Sequence, residues 1–137
     1  METRHSSATV NSNSNERNGL QQMKILLVVN SSPWGSTLAV TALRFARAAI
    51  AEGMTVAAVF FREDGVFQGS GSRATDAGTP ALSEAWPEFA QSSGAELLVC
   101  RSSGQRNLAQ CPSNSYREAG LAEMMELMAA SDRVVTW

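Results

Sequence analysis

Residues 24–61, KILLVVNSSPWGSTLAVTALRFARAAIAEGMTVAAVFF, decide the fold. Lys24 to Val29 (KILLVV) is apolar at consecutive positions, the pattern of a strand buried on both faces of a parallel sheet. Asn30 to Trp34 (NSSPW) breaks the run. Ser36 and Thr37 can cap a helix in which Leu38, Val40, Leu43, Phe45, Ala46, Ala49 and Ile50 recur at helical spacing. Gly53 suits the left-handed residue past the end of that helix. Met54 to Phe61 (MTVAAVFF) is a second buried strand, so the stretch forms a strand, a helix and a strand.

The pattern continues outward on the C-terminal side. Glu63 to Thr79 is Gly-rich and turn-prone, and its length marks it as a mobile or functional loop. Pro80 to Ser92 reads as a helix with Leu82, Trp86, Phe89 and Ala90 inward, provided Pro87 opens a turn or kinks it. Ala95 to Cys100 (AELLVC) is a third strand after Gly94. Arg117 to Ala130 is a helix with the apolar stripe Leu121, Met124, Met125 and Met128, a core or subunit-interface face, and Arg133 to Trp137 (RVVTW) is the last strand. Strands alternating with helices imply an α/β fold: a three-layer domain of flavodoxin-like size, its mostly parallel sheet covered by helices on both faces.

On the N-terminal side, residues 1–22 (METRHSSATVNSNSNERNGLQQ) are rich in Ser and Asn and nearly free of large apolar side chains. They cannot offset the entropy of being ordered, so they are expected to form a disordered tail ahead of a single domain at 23–137.

The composition excludes several classes of function. Of 137 residues, 11 are Lys or Arg and 13 are Asp or Glu, for a net charge of −2. Such a chain lacks the basic face that nucleic acid or an anionic membrane requires. No apolar run approaches the roughly 18 residues that span a bilayer, and residues 1–22 lack the apolar stretch of a secretory signal. Two cysteines, Cys100 and Cys111, make no disulfide framework, which fits a reducing, cytoplasmic compartment. The single histidine is His5 and the single lysine Lys24. A Ser-His-Asp or Cys-His pair therefore has no base inside the fold, a zinc site would have to do without imidazole, and a P-loop or Schiff-base lysine is disfavoured.

Thiol, carboxylate and backbone amides remain. Cys100 ends the third strand at the rim where open α/β sheets bind ligands, and Arg101 to Arg106 follow with two guanidinium groups and helix-end amides that favour thiolate. Position alone leaves two readings open, a reactive nucleophile or a small hydrophobe that completes LLVC. Cys111, beside Pro112, is either a resolving thiol or incidental. Glu63 and Asp64 are read as turn formers, because a carboxylate facing the sulfur would raise its pKa.

KILLVVNSSPWGS (24–36), VAAVFFREDGVF (56–67), the Trp86 helix, ELLVCRSSG (96–104) and SDRVVTW (131–137) together resemble the DsrE/TusD family of sulfur-relay proteins, in order and spacing. The most specific pieces are FFREDGV, the strand-end cysteine and the closing DRVV-aromatic strand. The stretch LAQCPSNSYREAG (108–120) departs from the family pattern. The resemblance implies an α/β sheet fold, assembly with like or homologous subunits, and a persulfide carried on Cys100 between a donor and an acceptor protein. It implies no cofactor and no metal. Two alternatives stand beside it. NSSPWGST (30–37) loosely resembles the phosphate loop of flavodoxins, which would make the chain an FMN-binding electron carrier, although Pro33 and Trp34 fit that loop poorly. A non-catalytic structural subunit is the other. GSGSRA (69–74) imitates a dinucleotide fingerprint but follows no strand directly.

Overall fold

The computed structural model describes residues 23–34, 37–69, 82–107 and 114–137, and leaves aside the side chains of residues 105–107. The tail expected at 1–22 and residues 70–74 of the fingerprint-like stretch lie outside the described residues. In chain order the elements are β1 (Lys24–Val29), α1 (Leu38–Ala51), β2 (Thr55–Phe61), a 3-10 helix (Glu63–Gly69) and α2 (Leu82–Ser93). They continue with β3 (Glu96–Cys100), α3 (Arg101–Asn107), β4 (Arg117–Ala119), α4 (Leu121–Ala130) and β5 (Arg133–Thr136). The five strands form one sheet in the order β4-β3-β2-β1-β5, and every pair in it is parallel.

The apolar runs of β1 and β2 are buried on both sides, as their consecutive hydrophobicity requires. Ile25, Leu27 and Val29 face one layer, and Leu26 and Val28 face the other. The β1–β2 register slips by one residue, Ile25 opposite Val56 but Leu26 opposite Ala58. This bulge at Ala57 puts Val56, Val59 and Phe61 on the first face and Ala58 and Phe60 on the second. β5 is fastened at both ends: the Asp132 amide donates to Lys24 O and the Trp137 amide to Val28 O.

α1 and α2 cover the first face. α1 turns Ala39, Ala42, Leu43, Ala46 and Ala49 inward, while Leu38 is 48% and Phe45 36% exposed. The expected stripe is thus rotated. Four alanines let the helix lie close to the sheet, and Phe45 packs instead on the edge-strand Trp137, ring centroids 5.2 Å apart. Thr37 occupies the cap position but its side chain caps nothing, and Ser36 lies outside the described residues. Gly53 has the expected left-handed backbone, φ 90°.

α2 runs through Pro87. Proline cannot donate to the carbonyl of Ser83 four residues earlier, and the Tyr116 hydroxyl donates to that carbonyl at 3.1 Å. Trp86, Phe61, Phe89 and Tyr116 form an edge-to-face aromatic cluster beneath it.

Two expectations are corrected. The loop expected from Glu63 onward begins as the 3-10 helix, whose Gly65, Val66, Gln68 and Gly69 are buried. The helix expected over Arg117 to Ala130 starts only at Leu121: Arg117–Ala119 pair with Leu98, Val99 and Cys100 as an edge strand, and the extended Gly120 (φ −90°, ψ 173°) breaks the backbone between them. α4 lies over the second face, but only Met124 and Leu127 pack on it. Leu121, Met125 and Met128 of the expected stripe point outward, 45%, 66% and 41% exposed. Among the described residues no helix is long and apolar enough to cross a membrane.

Candidate active site

The site is assembled at the carboxyl ends of β1, β2 and β3. β3 ends at Cys100 and α3 begins at the next residue, so Cys100 holds the N-cap position, where a side chain meets the free amides of the first turn. The amides of Ser102 and Ser103 and the hydroxyl of Ser103 hydrogen-bond its sulfur, and the Arg62 guanidinium at the end of β2 adds positive charge. Burial pushes the thiol pKa up. The hydrogen bonds and Arg62 together outweigh it, and the thiol sits below its ordinary value.

The sequence placed the Cys100 sulfur in an open crevice, and the structure corrects this. Cys100 is 2% exposed and packs among Leu26, Val28, Ala58, Phe60, Leu98 and Ala119. Alternation along β3 turns it to the α4 side, with Leu98 and away from Leu97 and Val99.

The cations are also redistributed. Arg101 is exposed and faces Glu118 of β4 at 3.9 Å, and it is not among the groups that lower the Cys100 pKa. The side chain of Arg106 and the whole of Cys111 lie outside the described residues. Arg62 takes the role expected of Arg101. Its guanidinium is 3.8 Å from the Glu63 carboxylate on one side, while its Nε is buried without a hydrogen-bond partner among the described residues, as is Asn30 Oδ1 at the end of β1.

The segment behind the sulfur is tightly determined. The Arg62 amide donates to Val29 O, and the Gly65 amide to Arg62 O. Gly65 lies so close to β1 that a Cβ there would run into the Val29 carbonyl oxygen. Gln68, fully buried, accepts from Trp86 Nε1 at 3.0 Å and donates to Ser31 O at 3.3 Å, which ties the 3-10 helix to α2 and to the loop after β1. Phe67 packs on Trp34 of that loop, centroids 5.4 Å apart. Glu63 and Asp64 form the exposed first turn. Glu63 is the one described non-glycine residue with positive φ, 50°, and its amide donates to Ser103 Oγ at 3.0 Å.

The sequence singles out Cys100 as the candidate, and neither Arg62 nor Ser103, the two residues the structure brings to its sulfur. Two signals pointed to them: Arg62 is the first residue past β2, and the Cys-x-x-Ser spacing matches the reciprocal contact between an N-cap residue and the third residue of a helix.

The model of the DsrE/DsrF-like family matches residues 23–137. A protein named sulfurtransferase TusD homolog from Vibrio vulnificus (strain YJ016) is 33% identical over 85% of this chain and 98% of its own length. The putative sulfurtransferase DsrE of Allochromatium vinosum is 25% identical over 84% of this chain and 98% of its own length. Among solved structures, the ychN protein from E. coli superposes with a TM-score of 0.73 at 20% identity, over 85% of this chain and all of that one.

Proposed function

The chain belongs to the DsrE/DsrF-like family, and on that premise we propose that it is a sulfur-relay protein carrying sulfane sulfur as a persulfide on Cys100. The observation that carries the reading is the environment of that sulfur: two amides, a hydroxyl and a guanidinium favour its ionised form despite burial. The relatives named as sulfurtransferases point to the same chemistry.

The exchange balances without an oxidant. The Cys100 thiolate attacks the outer sulfur of a donor persulfide, a new S–S bond forms, and the old bond breaks with its electron pair leaving on the donor thiolate. In the second half an acceptor thiolate attacks the outer sulfur, and the Cys100 thiolate leaves. The leaving step is helped by the same contacts that lower the thiol pKa, since a lower pKa makes a better leaving group. At 2% exposure the sulfur meets another protein's sulfur only after local opening. Donor and acceptor proteins are the partners, the reducing cytoplasm is the compartment, and residues 23–137 are the working unit. Assembly with like or homologous subunits covers the outward face of α4.

Intact mass before and after reductant, following exposure to a persulfidated donor, tests the assignment. Wild type and Cys111→Ser should gain reducible sulfur, and Cys100→Ser should gain none while keeping its fold. Equal uptake by Cys100→Ser would refute the mechanism, and loss confined to Cys111→Ser would move the carrier role to Cys111.

A further inference from the structure

We propose that Ser103 is the positioning residue of this site: the Glu63 amide fixes the Ser103 hydroxyl so that its proton is aimed at the Cys100 sulfur. The assignment rests on the reading of Cys100 as the reacting thiol and extends it to a residue and a backbone conformation that serve it.

Ser103 is 1% exposed, so its hydroxyl cannot turn to solvent. A hydroxyl has one proton and accepts through its lone pairs. The Glu63 N–H donates to Oγ at 3.0 Å, and the same hydroxyl hydrogen-bonds the sulfur of Cys100 in the sense that lowers the thiol pKa, which is donation to the sulfur. Ser103 lies three positions after Cys100 in the first turn of α3, the spacing at which an N-cap side chain and the third helical residue meet. A thiolate accepts and does not donate, so a hydroxyl committed to donation favours it over the thiol.

The aim depends on Glu63 keeping its left-handed backbone, φ 50°, a conformation a glutamate adopts only when its surroundings impose it. They do so on both sides: Arg62 is hydrogen-bonded to Val29, and Gly65 is seated against the Val29 carbonyl. Ser102 next door is exposed and offers the sulfur its amide alone, which provides an internal control. Of the charged groups on the elements packed against Cys100, Arg62 after β2 acts on its charge, while Glu63 of the 3-10 helix pairs with Arg62, Arg101 on α3 with Glu118 on β4, and Glu123 on α4 with Arg117. Ser103→Ala alters none of these charges, so a shift in titration reports the hydroxyl.

The test is the pH dependence of Cys100 alkylation by iodoacetamide, with Cys111→Ser as the parent. Ser103→Ala should raise the midpoint by about one pH unit, while Ser102→Ala leaves it in place. In the parent, the Glu63 amide proton followed by NMR should shift with the Cys100 midpoint, and Cys100→Ser should abolish that shift. A folded Ser103→Ala with the parent's midpoint overturns the assignment. So does a Glu63 amide that stays flat through the titration, an arm that requires no Ser103 variant to fold. Protein that titrates as expected yet takes up no sulfur upholds the role of Ser103 and counts against the carrier reading alone.

Discussion

A buried sulfur whose charge is shared among two amides, one hydroxyl and one guanidinium responds to the loss of each in proportion to its distance from water. Arg62 is the charged one, its side chain 30% accessible and already 3.8 Å from Glu63. Arg62→Gln should therefore raise the alkylation midpoint by only about half a unit, and that difference should shrink in high salt, whereas the Ser103→Ala shift persists. A midpoint unmoved at low salt would remove Arg62 from the site. The lowered pKa also makes a statement about stability. Cys100 is an acid whose folded pKa lies below its unfolded one, so its contribution is fully present above the unfolded value and fades as pH falls through the folded value. The melting temperature of wild type minus that of Cys100→Ser should thus grow as pH rises toward about 8.5, the free thiol range. A difference that does not grow with pH would mean that folding does not lower the pKa of this thiol.

The 3-10 helix Glu63–Gly69 is the element on which the site leans, and its position depends on one missing Cβ. Gly65→Ala would drive a methyl into the Val29 carbonyl oxygen, a backbone atom of a central strand that cannot swing aside. We expect a loss of about 3 kcal/mol in urea unfolding, together with a raised Cys100 midpoint as Glu63 loses its hold on Ser103. Unchanged stability would show that the segment is not seated on β1. Sequence periodicity could not have announced this helix. EDGVFQG carries turn residues and only two large apolar side chains, and its burial comes from the Gln68 contacts to Trp86 and Ser31, residues far away in the chain. The same holds for β4, three residues whose strand character exists only because Leu98, Val99 and Cys100 lie beside them.

At the scale of the molecule, α4 has no fully buried residue, and Leu121, Met125 and Met128 face outward. Met125→Glu should leave near-UV circular dichroism unchanged and shift the mass seen by light scattering toward a monomer. A mass equal to wild type, or a wild type that is itself monomeric, would overturn assembly through α4. By itself the sequence determined the α/β class, four of the five strands to within a residue or so, two of the covering helices and the thiol at a strand end. Those features are written in local hydrophobic runs and in residue types that have no substitute. Tertiary structure alone decided which face of α1 meets the sheet, that the stripe of α4 points away from it, and that Cys100 is buried. It also decided that Arg62 and Ser103, rather than Arg101, attend the sulfur. Each of those outcomes depends on which residues from distant parts of the chain arrive next to one another, and no periodicity within a segment records that arrival.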